Sequence, residues 1–262
     1  MIGIRPGDRG VWMRTILAAI VVALVATQVA KADEEVDLEL VLLADASGSI
    51  DDAEIAFQRQ GYALAITHPQ VLSAILQGFS QRIAVTYVEW GDENSQAIVV
   101  PWSIVDGEDS AVAFANALLN APREAFGMNA IGSALALAHV LIDGNDIDGW
   151  RRVIDISADS ANSWGGVPIE AARAAILASG IVINGLAILC RDEDCSGRPV
   201  LYDVEAAFAE TITGGPGSFV VTADGRSRFA EAVRRKLILE IAADPAAVST
   251  DVAASMINTT DR

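Results

Sequence analysis

Between Leu38 and Asp52 an apolar run passes directly into a loop of small oxygen-bearing side chains, and this junction restricts the fold more than any other stretch. Val41-Leu42-Leu43-Ala44 has no polar interruption, as expected of a strand buried on both faces of a parallel sheet. Asp45-Ala46-Ser47-Gly48-Ser49 then sets a carboxylate and two hydroxyls at alternate positions around a glycine. Such oxygens suit a hard divalent cation such as Mg²⁺ or Mn²⁺. A loop leaving the carboxyl end of a parallel strand is also where open α/β sheets place their ligands. Asp, Ser and Gly are equally ordinary turn formers, so the pentad alone fits either a metal loop or a plain strand-to-helix turn.

Strand-like and helix-like patterns alternate along the rest of the chain. Helical stretches are expected at 51–68, with Ile55, Tyr62 and Ile66 on one stripe, and at 71–76, 109–119, 131–141, 168–178, 202–211 and 228–241. Strands are expected at 82–90, 96–102, 151–157, 181–189 and 217–223. The link Gly91-Asp92-Glu93-Asn94 is too short for a parallel crossover, so the strands it joins pair antiparallel. Pro101 marks the second of them as an edge strand. The fold class this implies is α/β: a doubly wound, mostly parallel sheet with one antiparallel edge strand and helices on both faces, in a single domain. In the usual strand order the first strand neighbours Arg151–Ser157, and a crevice opens at their carboxyl ends where the winding reverses.

The first 32 residues stand apart. Arg5, Arg9 and Arg14 precede an uncharged run whose apolar heart, Ile16 to Ala26, is too short to span a bilayer, and Ala30-Lys31-Ala32 offers small residues for a signal peptidase. Residues 1–32 therefore read as a secretory signal peptide, 33–243 as the domain, and 244–262 as a small, polar, loose tail. Without the leader 14 basic and 34 acidic side chains remain, a net charge of −20. Such a surface repels phosphate backbones and anionic headgroups, which argues against nucleic-acid binding; once the signal is removed, no membrane insertion is expected. Cys190 and Cys195 enclose only Arg-Asp-Glu-Asp, and in an exported chain a local disulfide is the leading reading. Two thiols alone do not complete a tetrahedral metal site.

Two further loops complete a constellation. Gly127-Met128-Asn129-Ala130-Ile131-Gly132 puts Asn129 at the start of a helix that Gly132 lets pack closely, and Ala158-Asp159-Ser160 follows the strand beside the first. The three loops resemble, in order and across nearly the whole domain, the metal-ion-dependent adhesion site of von Willebrand factor A (vWA) domains: D-x-S-x-S, then G-x-T-x-I-G, then a third-loop aspartate. Arg82–Trp90, Arg151–Ser157 and Gly214–Val221 are more particularly similar to a bacterial family of exported vWA proteins of unassigned function. The resemblance implies a metal held by Asp45, Ser47, Ser49, Asn129 and Asp159, with Mg²⁺ or Mn²⁺ preferred over Ca²⁺. It also implies a protein partner that offers an Asp or Glu to the metal, and a periplasmic or alternatively secreted location. Asn129 stands where the family has threonine; its amide carbonyl is still a hard donor, although its longer side chain could fill the ligand's space.

Other polar residues have plainer readings. Asp155, inside a strand, calls for an arginine or backbone N–H partner. Glu89 is either a solvated strand end or a charge behind the crevice, and His68 and His139 are filler. Trp90, Trp102 and Trp164 follow strand ends on the ligand edge, where packing is the default and covering the crevice the alternative. The chain has no G-x-S-x-G elbow, no base near Ser47 or Ser49 in sequence, and no obvious general base in the crevice. A binding module is thus expected rather than an enzyme. A metal-free vWA scaffold and a metal-dependent hydrolase are the alternatives.

Overall fold

The computed structural model describes residues 34–189 and 201–242. In chain order its elements are β1 (Glu34–Val36), β2 (Leu38–Asp45), α1 (Asp52–Ile66), α2 (Pro69–Leu76), β3 (Ile83–Trp90), β4 (Gln96–Val105), α3 (Glu108–Asn120), α4 (Ile131–Asp143), β5 (Ile147–Gly149), β6 (Arg152–Ala158), α5 (Ile169–Ala178), β7 (Val182–Leu189), α6 (Val204–Thr211), β8 (Val220–Asp224) and α7 (Arg226–Ile241). Six strands form the main sheet in the order β4-β3-β2-β6-β7-β8, all parallel except the β3–β4 edge pair. The doubly wound sheet expected from the sequence is therefore the fold, and β2 lies against β6. The leader, the Cys190–Cys195 pair and the tail beyond residue 242 lie outside the described residues. No helix among the described residues is long and apolar enough to cross a membrane.

Every residue of β2 is buried, because helices cover both of its faces. The strand's two-residue period assigns its side chains to separate cores. Leu38, Leu40 and Leu42 pack with Tyr62 and Ile66 of α1, Phe114 of α3 and Val233 of α7. Val41 and Leu43 pack with Leu135 of α4, Ile176 of α5 and Phe208 of α6. Sliding this strand by one residue would exchange the two cores, so its register is strongly specified.

Pro101 does sit on the edge strand, where the β3–β4 register shifts and β4 carries extra residues between Ile98 and Ser103. The ribbon of β1 and β5 has no signature in the sequence. It forms around Glu39, whose carboxylate accepts hydrogen bonds from Gly149 N–H (2.9 Å) and Asn145 Nδ2 (2.8 Å). Strand β8 starts at Val220 rather than 217, because Gly215 and Gly217 turn the chain with positive φ.

Two buried charges depart from their sequence readings. Asp155 is held by neither an arginine nor backbone N–H groups: its Oδ1 lies 2.6 Å from Nζ of Lys236 on α7, and Lys236 also bonds Glu240. Asn184 Nδ2 donates to the same Glu240 at 3.1 Å. The long Lys236 stem reaches across the core from α7, a juxtaposition that sequence distance conceals. Glu89 is fully buried rather than solvated, and Arg59 grips it with two bonds of 2.7 and 2.9 Å. Arg59 also donates to the carbonyls of Ala121 and Pro122, tying α1, β3 and the end of α3 together.

Candidate functional site

The three loops singled out in the sequence meet at the carboxyl ends of β2 and β6. Asp45 is the last residue of β2 and is fully buried. Its Oδ1 accepts the Ser47 N–H at 2.8 Å, which curls the loop back over the strand end, while its Oδ2 is buried without a hydrogen-bond partner. Ser47 Oγ and Ser49 Oγ lie 3.4 Å apart. Asp51 then caps α1 reciprocally with Glu54: Asp51 Oδ1 accepts the Glu54 N–H at 2.8 Å and Glu54 Oε2 accepts the Asp51 N–H at 3.2 Å. The helix start is thus fixed six residues past Asp45.

Backbone bonds lock the neighbouring loops to this one. Ala46 N–H donates to Trp90 O at 2.8 Å, and Gly48 N–H to Gly127 O at 2.7 Å. Gly127 takes φ +102°, and a Cβ there would lie 2.3 Å from Asp92 Oδ2, so only glycine permits the approach. Gly132 is equally constrained, since a Cβ would meet Val167 O at 1.9 Å, which bears out the close packing expected of this helix. Asn129 is held at both ends of its residue: its Nδ2 donates to Asn162 O at 2.7 Å, and its backbone carbonyl accepts the Trp164 N–H at 2.7 Å. With the amide nitrogen so engaged, Asn129 Oδ1 is left buried and without a partner.

Asp159 follows β6 directly and is 8% exposed. Burial pushes its carboxyl up, a hydrogen bond from Ser49 offsets part of that, and the Glu54 carboxylate adds to the rise. Asp45 is pushed up to about 7, first by burial and then by the facing Asp159 charge. Among the described residues neither aspartate has an ion-pair partner. Two desolvated carboxylates face one another with no internal cation, a costly arrangement that a divalent ion would relieve. The set of Asp45, Ser47, Ser49, Asn129 and Asp159 is all oxygen, includes two orphaned buried acceptors, and fits a hard dication. No group of three His, Cys, Asp or Glu side chains suited to a metal forms among the described residues, so the hydroxyls and the amide must complete this set.

Some residues here carry no sequence signal. Gln58 Nε2 donates to the Asp45 carbonyl at 3.1 Å. Arg123 reaches the carbonyls of Ala46 (2.9 Å) and Ile50 (3.0 Å) and pairs with Asp52 at 2.7 Å, clamping the first loop from outside. Only the Asp51–Glu54 capping box was readable in advance, from its spacing. Of the tryptophans, Trp90 is fully buried, Trp102 donates its Nε1–H to Leu141 O at 3.2 Å, and Trp164 stays 59% exposed on the loop touching Asn129. His68 is more than filler: its Nδ1 accepts the Gln70 N–H at 3.2 Å and caps α2. His139 bonds Ser179 Oγ at 2.9 Å, far from the crevice loops in the fold's helical layer.

The sequence model of a family described as "Protein of unknown function (DUF1194)" matches residues 35–245. A search of the curated proteins gives no match. Among solved structures, the pilus adhesin SpaC from Lactobacillus rhamnosus GG, in its open conformation, is 13% identical with a TM-score of 0.55, covering 80% of this chain and 31% of that one. Proximal thread matrix protein 1 from the mussel byssus, solved with a zinc-occupied MIDAS (metal-ion-dependent adhesion site) motif, is 16% identical with a TM-score of 0.53, covering 80% and 48%. A von Willebrand factor type A protein from Catenulispora acidiphila is 16% identical with a TM-score of 0.51, covering 79% and 43%. Identities this low establish the fold alone, and the fold is vWA-like. The chain spans about a third to a half of the length of these structures.

Proposed function

The chain belongs to the DUF1194 family, and we propose that it is an exported binding module whose crevice holds a divalent cation and engages an acidic group of a protein partner. One observation carries this reading: Asp45 and Asp159 converge, buried, and no cation among the described residues pairs with either. Asp45 and Asp159 would supply charge, Ser47 and Ser49 hydroxyl oxygens, and Asn129 its free carbonyl oxygen. A bound dication would supply a Lewis-acidic position open to an outside carboxylate. Mg²⁺ or Mn²⁺ fits better than Ca²⁺, because two carboxylates and small neutral donors leave room for waters around the smaller octahedral ions.

The crevice arrangement supports binding rather than catalysis. Glu54, whose charge reaches Asp159, is occupied in the helix cap, which leaves it poorly placed as a general base. The long-range field of a chain at net −20 opposes an acidic partner, but salt screens that field beyond about 8–10 Å. Inner-sphere coordination acts at roughly 2 Å and prevails there. The leader implies export, and the family resemblance favours the periplasm over secretion; intact mass should place the mature start at Asp33 with Cys190 joined to Cys195.

Calorimetry with Mg²⁺, Mn²⁺ and Ca²⁺ tests the site. Wild type should bind Mg²⁺ or Mn²⁺. Asp45→Ala and Asp159→Ala should lose more than the roughly 10–100-fold that removal of an outer-shell partner costs. Asn129→Thr should bind as well or better. If wild type and Asp159→Ala titrate alike, the chain is a metal-free scaffold or holds its ion elsewhere.

A further inference from the structure

The loops that meet at the crevice carry large apolar side chains that the fold keeps out of its own core. Trp164 is 59% exposed, Met128 59% and Phe126 51%. All three sit on the two loops that carry or touch Asn129. Scattered apolar residues are normal on a protein surface, but contiguous ones beside a site mark recognition.

Their outward position is fixed by backbone, not by loose loops. Phe126 O accepts the Asp92 N–H at 3.1 Å, and Phe126 N–H donates to Ser95 Oγ at 2.9 Å. Gly91 packs so tightly beneath that a Cβ there would meet Phe126 O at 2.0 Å, so this segment cannot sink to bury its ring. The Arg123 guanidinium lies 4.7 Å from the Phe126 ring centroid and holds it at the rim. Trp164 is pinned through its own N–H to the Asn129 carbonyl. Rigid aromatic side chains beside an adaptable methionine are the composition of the centre of a protein interface.

Charge narrows the occupant. Glu93 is exposed and packs against the Gly165–Gly166 turn just beyond Trp164, and Asp92 packs against Gly127. A partner with one carboxylate can complete the metal site, whereas further acids beside it would face these carboxylates unpaired. Polyanions such as nucleic acid or anionic membrane are disfavoured for the same reason.

We infer that the crevice selects an extended protein segment bearing a single Asp or Glu flanked by large apolar residues, which Phe126, Met128 and Trp164 receive. This rests on the metal reading above and assigns the specificity of that site. The acid supplies the coordination, and the flanks decide which acid is taken.

Fluorescently labelled pentapeptides test it by anisotropy on the full exported chain. Gly-Phe-Asp-Leu-Gly in Mg²⁺ should bind at least about tenfold tighter than Gly-Ser-Asp-Ser-Gly, a difference of about 1.4 kcal/mol. Gly-Asp-Asp-Asp-Gly should be the weakest of the acidic set, and Gly-Phe-Asn-Leu-Gly should not bind. The Met128→Ser, Trp164→Ser double variant should lose the apolar preference while its Mg²⁺ calorimetry stays as in wild type. Equal affinities for the first two peptides, no binding by any peptide, or a preference retained in the double variant would each overturn the inference. A Mg²⁺-dependent dimer by light scattering would also overturn it, by assigning the rim to a second copy. Failure of the underlying reading looks different: the apolar preference would then persist in chelator and in Asp45→Ala.

Discussion

Two pairs of buried carboxylates involve one strand, one inside it and one just past its end, and the protein treats them in opposite ways. Asp155, inside β6, shares the ammonium of Lys236 with Glu240 beneath α7. Asp159, just past the end of β6, faces Asp45, and no ammonium or guanidinium among the described residues pairs with either. Both pairs are desolvated, and in both burial is the first cause that raises the carboxyls. The difference is the source of the compensating charge. A pair with an internal cation is a structural clasp, whereas a pair of facing carboxylates carries a charge cost that, under the proposed function, a bound dication would offset. The two structural ion pairs, Asp155–Lys236 and Glu89–Arg59, lie within the core, and the uncompensated pair lies in the crevice at the strand ends.

The largest effect expected from this contrast is on the clasp. Lys236→Met leaves Asp155 and Glu240 buried without their cation and should cost roughly 3–5 kcal/mol in urea unfolding, with no recovery on adding Mg²⁺. A loss below about 1 kcal/mol would mean that protonation can replace the lysine, and the contrast would weaken.

At the crevice the sign should invert. Asp45→Asn keeps an oxygen for the Ser47 N–H and removes one of two facing charges. It should therefore raise the stability of the metal-free protein by on the order of 1–2 kcal/mol. The same variant should lose the Mg²⁺-induced rise in Tm that the proposed site predicts for wild type by mass action. Destabilisation in chelator would place a hidden cation near Asp45.

The smallest effect is a pH slope. Burial and the Asp155 charge raise Glu240 from 4.5 to about 7, with Lys236 opposing. The folded protein holds that proton more tightly than the unfolded chain, so stability falls as pH rises from about 4.5 to about 7 and is level above. Glu240→Gln should make that slope shallower by on the order of 1 kcal/mol across the window, measured by urea unfolding in chelator. Asp45, with Glu39, Asp155 and Asp159 also raised by burial, should leave a residual slope of the same sign, which Asp45→Asn reduces further. An unchanged slope in Glu240→Gln would mean that Lys236 already holds Glu240 ionised.

Much of this architecture was legible in the chain, because strong periodic patterns are local. The unbroken apolar β2, the short link that forces β3 and β4 antiparallel, and Pro101 at the edge each follow from a few adjacent residues. The meeting of the first and third loops was legible for a related reason: strand ends in this topology converge, so Asp45 and Asp159, each at the end of an apolar strand, come together. The ribbon of β1 and β5 was not, since three residues carry no period and Glu39 alone organises them. Nor was the fate of Asp155 and Glu89. Each was visible as a misplaced charge, but its partner lies 81 and 30 residues away and arrives from another layer.

The sequence by itself therefore determined the doubly wound sheet, the neighbourhood of β2 and β6, the antiparallel edge, and which three loops meet at the carboxyl ends of those strands. Only the tertiary structure decided which buried acids are neutralised from within and which are left facing each other. It also decided that Asn129 turns its amide nitrogen to Asn162 and leaves its carbonyl oxygen free, and that Trp164, Met128 and Phe126 stand outward around it. The reason is one of range. Hydrophobic periodicity acts between residues a turn or two apart, whereas compensation of a buried charge depends on which long side chain the packing of distant helices brings within about 3 Å.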